Sequence, residues 1–220
     1  ATHWTGERAI EFLKSRQKDG SPWFLKVSFQ RPHPPFDPPK QWLEFYEDVE
    51  IPMPNVGDWA KDKSINKTGS IYNTPSASLG IYPDNEILES RKTYAAGLSF
   101  VDEQIGRIIK ELKEIGQYEN TLILYTSDHG DMMGDQNMWR KCKPYDPSSR
   151  IPFIVRWPES LGLNAKREQK RTELIELRDI FPSFADAANI KIPVPVDGKS
   201  IFKLLRGENH WRRKSGNNYN

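Results

Sequence analysis

A single cysteine, Cys142, stands among 220 residues, so no disulfide can close within the chain and the redox compartment is not readable from it. No apolar run approaches the roughly 20 residues that a membrane helix needs. Excess charge of one sign is missing too. The 32 basic and 30 acidic residues leave a formal charge of +2, which gives no reason to expect nucleic acid or an anionic membrane as partner. Internal repeats and low-complexity tracts are absent. The opening stretch "ATHWTGERAIEFLK" is amphipathic and carries no signal-peptide pattern. What remains is a length suited to one large domain or one and a half small ones, with 36% apolar and 28% charged residues, the balance of a globular chain with a core. Both ends look cut. The chain opens almost at once into a helical pattern and closes on the polar "GENHWRRKSGNNYN", which suggests a piece of a longer protein.

The periodicity predicts a helix over residues 6–18, capped by Thr5, with Ala9, Ile10 and Leu13 on one face. Trp23 to Phe29 reads as a buried strand. The proline-rich "RPHPPFDPPK" then forbids regular structure, and residues 47–84 are irregular. Residues 85–115 form the strongest helical pattern. Tyr94, Leu98, Val101, Ile105, Ile108 and Leu112 recur at steps of four and three, and Gly116 ends it. "TLILYTSD" and "IPFIVRWP" read as strands, and a last helix is expected over 176–188 with Asn189 near its end. Helices alternating with continuous apolar strands predict an α/β fold, a mostly parallel central sheet flanked by helices. In such sheets ligands bind beyond the carboxyl ends of the strands.

Two segments leave a predicted strand and turn polar at that point, "KVSFQRPHPP" and "LYTSDHGDMMGD". They put His33, Asp128 and His129 on one rim. Asp128 offers hard oxygen and His129 imidazole nitrogen, and Gly130 lets the backbone turn so that both aim inward. The pair could form half of a divalent-cation site, since calcium takes 6–8 oxygens and other metals at least four donors. The plainer alternative is a turn in which Asp128 caps backbone amides and His129 lies on the surface. Lys141 and Lys143 flank Cys142. A lysine near a cation suits a tetrahedral oxyanion such as sulfate or phosphate; a solvated basic loop is the alternative. Cys142 reads as a nucleophile activated by its lysines or as a small packed side chain, with no general base identifiable beside it. His33 sits on a loop that its prolines make rigid.

"LYTSDHGDMMGDQNMWRKCKPYDPSSRIPFIVRWP", with "PWFLKVSFQRPHPPFDPP", "TYAAGLSFVDEQIGRIIKEL" and "ELRDIFPSFADAANIKIPVPVDGKSIFKLLRGE", resembles the sulfatase family of the alkaline-phosphatase-like superfamily. The similarity covers nearly the whole chain in order, apart from 47–84. It implies that 1–205 is the C-terminal portion of a sulfatase-like catalytic domain, with 206–220 a polar tail leading into a further region. It implies that Asp128 and His129 are metal ligands for calcium, with manganese or zinc as alternatives. By the same resemblance Lys141 and His33 contact the sulfate as catalytic and substrate-binding residues, His33 also serving the leaving oxygen. The expected substrate is a sulfated small molecule or carbohydrate, or an aryl sulfate. The family's paired aspartates and its Cys-x-Pro/Ala-x-Arg motif, whose cysteine becomes formylglycine, are not in this sequence, and Cys142 is followed by Asp146 where the motif would want Arg. The nucleophile is therefore expected in a missing N-terminal segment. Gln136 stands where many relatives have His. A phosphodiester or phosphonate monoester hydrolase, and a non-catalytic truncated chain, stay open. Trp59, Tyr72 and Tyr82 could stack on a sugar or aryl ring or could be packing, and the "NKT" sequon at Asn66 is too short to argue secretion. A periplasmic or secreted location is favoured by the resemblance alone.

Overall fold

A computed structural model describes residues 1–17, 20–61, 79–141 and 143–207. Tyr72, Cys142, the Asn66 sequon and all but the first two residues of the polar tail lie outside the described residues. The chain divides into two compact units, Ala1–Glu119 with Leu124–Val155, and Asn120–Ile123 with Arg156–Asn220.

The first unit is organised on a helix pair. α1 (Thr2–Arg16) packs on α3 (Asp84–Glu114), which runs unbroken for 31 residues. α1 buries Thr2, Gly6, Ala9, Ile10 and Leu13, the face its periodicity marks. It begins earlier than expected, and Thr5 lies inside it. The Thr5 hydroxyl donates back to the Ala1 carbonyl at 3.2 Å instead of capping. The two helices approach so closely at Gly6 that a Cβ there would lie 2.8 Å from Gln104 Oε1. Beside that contact, Arg107 pairs with Glu7 and donates to Gln104 Oε1 at 2.7 Å. The Arg107 hydrogen bond holds the Glu7 carboxyl below the usual carboxylate range.

The stripe read on α3 is partly displaced. Val101 and Leu112 are buried, but Leu98 is exposed, and Ile87, Ala96 and Gly97 are covered in its place. A 3.6-residue repeat drifts around so long a helix, and different stretches of it face different neighbours. α2 (Lys40–Phe45) also lies on α3, and Trp42 donates to Glu103 at 3.1 Å. Gly116, at φ 70°, closes α3 as expected, with Gln117 N–H donating to the Leu112 carbonyl at 2.9 Å.

Among the described residues the sheet holds two strands, β1 (Ile123–Thr126) and β2 (Phe153–Arg156). β1 is half-buried along its length, and Ile154 of β2 is 61% exposed, so neither strand is covered on both faces. Trp23–Phe29, expected as a buried strand, joins no ladder. It alternates strictly between half-buried and exposed residues, the signature of an extended segment covered on one face. α4 (Asp146–Ser149) is a single turn between the strands.

In the second unit a short 3₁₀ turn, Leu177–Asp179, leads into α5 (Ile180–Ala187). Asp179 is fully buried and accepts from the Glu176 and Lys199 amides at 2.9 and 2.8 Å. α6 (Ile201–Leu205) starts at Ser200, whose hydroxyl accepts from the Phe202 amide. Asn189 takes the left-handed conformation just past α5, where its residue type placed it. No helix among the described residues is long and apolar enough to cross a membrane.

The Gly6 approach gives a direct check. Gly6→Val should cost about 1–3 kcal/mol by overpacking against Gln104. Gln104→Ala introduced beside it should return part of that loss. Equal unfolding midpoints for Gly6→Val and the unaltered chain would show the helix approach to be looser than described.

Candidate functional site

β1 ends at Thr126, and the next residues form a compact turn. The Ser127 hydroxyl donates to the His129 carbonyl at 2.6 Å, and Asp128 Oδ1 accepts from the His129 amide at 3.0 Å. The turn is drawn against α4 at Gly130. Its amide donates to the Ser148 carbonyl at 2.8 Å, and a Cβ at this position would stand 2.0 Å from the Pro147 carbonyl oxygen. Only glycine allows that contact. Asp131 ties the far side of the loop, its Oδ1 accepting from the amides of Met133 and Arg140 at 3.0 and 2.9 Å. Met133, Gln136, Asn137 and Arg140 all adopt positive φ, a concentration of strained backbone that tends to occur at functional loops.

This turn brings three of the four expected site residues together. His129 Nδ1 lies 2.7 Å from the Gly130 carbonyl, which can only accept, so Nδ1 carries the proton and Nε2 presents its lone pair. Lys141 Nζ donates to that lone pair at 3.0 Å, and Asp128 Oδ2 lies 3.6 Å from Nε2. Two donors sharing a cation at near right angles stand roughly 3.3 Å apart. The imidazole proton fixed on a backbone carbonyl is also the usual support for a metal-bound histidine. The Asp128 side chain is 83% exposed, open to a ligand from outside. Both readings of Asp128 therefore meet in one residue, since one oxygen holds the turn and the other faces His129. Among the described residues no group of three or more His, Cys, Asp and Glu side chains could hold a metal ion. Asp128 and His129 alone offer two donors, fewer than a divalent cation takes.

His33 is exposed, and its hydrogen bonds are local. Its amide donates to the Gln30 carbonyl at 3.0 Å, and Nδ1 lies 2.8 Å from the Pro34 carbonyl. Its loop rests on α3, where Phe36 meets Tyr94 edge-on at 5.9 Å. Burial pushes the Tyr94 hydroxyl up to about 12, helped by the charges of Asp131 and Tyr125. Tyr94 thus packs against the His33 loop and feels the charge of Asp131 in the loop after β1.

The sequence pattern does not single out Arg91, and it marks Gln136 only as a departure from the family's His; both shape this region. Arg91 on α3 donates to the Met133 carbonyl at 2.8 Å and lies 3.7 Å from Asp135. Gln136 closes the loop onto residues 55–57. Its Oε1 accepts from the Gly57 amide at 2.8 Å, and its own amide donates to the Asn55 carbonyl at 2.8 Å. An open cleft of about 370 Å³ lies between these loops, lined by Asn55, Met132, Asp135, Gln136 and residues 144–147. Of the aromatics weighed as ring-stacking groups, Trp59 stacks on Tyr145 at 6.3 Å and 16°, and Tyr82 packs edge-on against Trp139.

A family model described as Sulfatase matches residues 4–190. The chain belongs to the sulfatase family. It is 40% identical over 212 residues to an arylsulfatase of Clostridium perfringens, a match covering 96% of this chain and 43% of that protein. It is 30% identical over 199 residues to a choline-sulfatase of Rhizobium meliloti, covering 88% of this chain and 38% of that one. A crystal structure of a phosphonate monoester hydrolase from Agrobacterium radiobacter superposes with a TM-score of 0.78 at 27% identity, over 94% of this chain and 43% of its own. The fold is thus shared with sulfatases and phosphonate hydrolases of the alkaline-phosphatase-like type. The chain spans about two fifths of the length of these relatives. Sulfatases as a family generally use a divalent metal and a formylglycine.

Two outcomes follow from the geometry. Gly130→Ala should cost about 3 kcal/mol or prevent closure of the loop, because backbone on both sides of the contact cannot retreat; a denaturation midpoint within error of the unaltered chain would refute the close approach. Tyr94 keeps its proton longer when folded, from its ordinary value of 10.0 up to about 12. Its contribution to stability is therefore complete below the lower of these values and is lost as pH rises through the upper. Across that alkaline window, Tyr94→Phe should lose less stability than the unaltered chain in urea titrations.

Proposed function

We propose that this chain forms the cation- and oxyanion-binding side of a sulfuric ester hydrolase, acting on a sulfated sugar or aryl ester. The carrying observation is the cluster in which Lys141 Nζ and Asp128 Oδ2 both approach His129 Nε2. On this reading residues 1–205 are part of the catalytic domain, and 206–220 lead away from it. β1, β2 and the extended 23–29 segment belong to a mostly parallel central sheet completed by the rest of the parent protein. The exposure of Phe24 in that segment and of Ile154 in β2 supports this, since both are large apolar side chains left to be covered.

Asp128 and His129 would hold a divalent cation, calcium before manganese or zinc. Bound there, it would supply positive charge to the oxygens of the transferring group. Lys141, a compact point charge at the same spot, binds a further oxygen of the tetrahedral group. His33 serves the leaving oxygen. With Nδ1–H held by the Pro34 carbonyl, proton gain and loss fall to Nε2. None of these residues is a credible nucleophile. A formylglycine outside this sequence supplies it.

A second reading keeps the site and changes the ester. The superposition on a phosphonate monoester hydrolase favours it, because sulfate and phosphonate groups share a tetrahedral shape. A third, a chain that binds sulfated ligands without turnover, follows if the parent lacks the nucleophile. Paired aryl sulfate, aryl phosphodiester and phosphonate monoester substrates, given to the parent protein, separate the three. Preference for the sulfate supports the proposal, preference for either phosphorus ester selects the second reading, and no turnover selects the third.

Lys141→Ala in the parent should lower kcat/KM on an aryl sulfate by about 100-fold or more, the usual loss when one charge-stabilising donor is removed. This chain alone, with added calcium, should give no turnover. Hydrolysis by the isolated chain that Lys141→Ala abolishes would show the nucleophile to lie within these residues.

A further inference from the structure

Lysine carries its charge on a flexible four-carbon stem, so the Lys141 ammonium keeps one place only if the backbone beneath it is held. That backbone leaves a small hairpin. Residues 132–134 run against residues 138–140, with Met132 N–H donating to the Arg140 carbonyl and Gly134 N–H to the Met138 carbonyl, both at 2.9 Å. The second arm is held on its other side as well. Leu79 bridges Met138, the Gly80 amide donates to the Asn137 carbonyl at 3.0 Å, and Trp139 Nε1 donates to the Gly80 carbonyl at 3.1 Å. Arg140, the residue before Lys141, then turns the chain out of the hairpin at φ 69°, a conformation disfavoured for a residue with a Cβ.

Asp131 meets that bend. Its Oδ1 accepts from the Arg140 amide at 2.9 Å while the Arg140 carbonyl is held by Met132, so both backbone polar groups of the bent residue are bound. The same oxygen accepts from the Met133 amide at 3.0 Å, which ties the carboxylate to its own turn. His129 precedes Asp131 by two residues, and its Nε2 accepts from Lys141 Nζ at 3.0 Å. A ring of short links results. It runs along the chain from His129 to Asp131, across a hydrogen bond to Arg140, on to Lys141, and back through the ammonium to His129.

We propose that Asp131 is a positioning residue for ester cleavage, fixing the left-handed bend at Arg140 and so aiming the Lys141 ammonium at the tetrahedral group. The inference rests on the sulfatase reading above. The role needs an oxygen that accepts two N–H groups, and a carboxamide oxygen has the lone pairs to do the same. Negative charge is not what it uses. Asp131 acts through Lys141, whose contribution lies in stabilising charge as it develops, so the loss of Asp131 falls on kcat more than on KM.

The parent protein would be assayed on an aryl sulfate. Asp131→Ala should lower kcat about 10-fold to 100-fold, as a misplaced charge does, and leave KM within about threefold. Asp131→Asn should stay within about threefold of the unaltered protein, since its Oδ1 can accept the same two amides. In a Lys141→Ala background, Asp131→Ala should cost no more than about twofold further, because no ammonium is left to aim. If Asp131→Ala does not fold, Asp131→Ser replaces it: its shorter side chain can keep the local turn to Met133 and gives up the Arg140 amide. Unchanged kcat in the Ala or Ser variant would overturn the proposal. So would an equal loss in Asp131→Asn, which would make charge the working property, or an undiminished loss beside Lys141→Ala, which would make Asp131 a general support of the loop. If the unaltered parent cleaves no sulfate ester, the sulfatase reading fails on its own. Crystal structures of the metal-free variants then decide the aim. Lys141 Nζ displaced from His129 Nε2 in Asp131→Ala or Asp131→Ser and in place in Asp131→Asn keeps it, and any other pattern removes it.

Discussion

The contact between Gly130 and the Pro147 carbonyl is the constraint on which the site depends. Without it, the polar loop after β1 and the turn before β2 are separate surface loops. With it, residues 127–134 lie against residues 144–148 at backbone distance, closed by the Gly130 to Ser148 hydrogen bond. Lys141 sits between the two, and the closure brings its ammonium to His129. The charge chemistry of the site is thus a consequence of one missing Cβ. A lysine twelve residues from a histidine has no reason of its own to meet it.

Asp131 explains why the loop keeps that shape. A buried amide without a partner costs about 1–3 kcal/mol, and this loop has several amides pointing inward. One carboxylate oxygen serves two of them, across nine residues. The four non-glycine residues at positive φ in the same stretch are disfavoured conformations that isolated loops avoid. They persist because Arg91 holds the Met133 carbonyl and Gln136 holds Asn55 and Gly57. The strain and the bonds that offset it occupy the same residues.

How much was legible follows from how local each signal is. The long α3, its glycine stop, the two strands and the left-handed Asn189 are set by residues within a turn or two of themselves, and the sequence pattern states them. Asp128, His129 and Lys141 were marked by residue chemistry and by resemblance, and the structure places them in one cluster. The errors have a common form. Trp23–Phe29 reads as a buried strand, yet Trp23, Leu25, Val27 and Phe29 are half covered while Phe24, Lys26 and Ser28 are exposed, an alternation that the two polar side chains already write into the sequence. Leu98 continues a helical stripe in sequence and is exposed where no neighbour meets it. Gly130, Gln136 and Trp59 matter through partners 17, 79 and 86 residues away, and no periodicity reports a partner at that range.

The hydrogen bond between Lys141 and His129 also has a physical implication for how the site's two ligands relate. An ammonium and a divalent cation compete for the single Nε2 lone pair, since one pair of electrons cannot serve both. While Lys141 occupies it, the ammonium has one donor committed and two remaining. On the proposed reading, a cation at that lone pair would return the third donor to Lys141 and set like charges side by side. Two adjacent positive charges repel unless an anion lies near both. A tetrahedral oxyanion would meet both charges, so on that reading cation and anion would each favour the other's binding, while the Lys141–His129 bond satisfies the pair when neither is there.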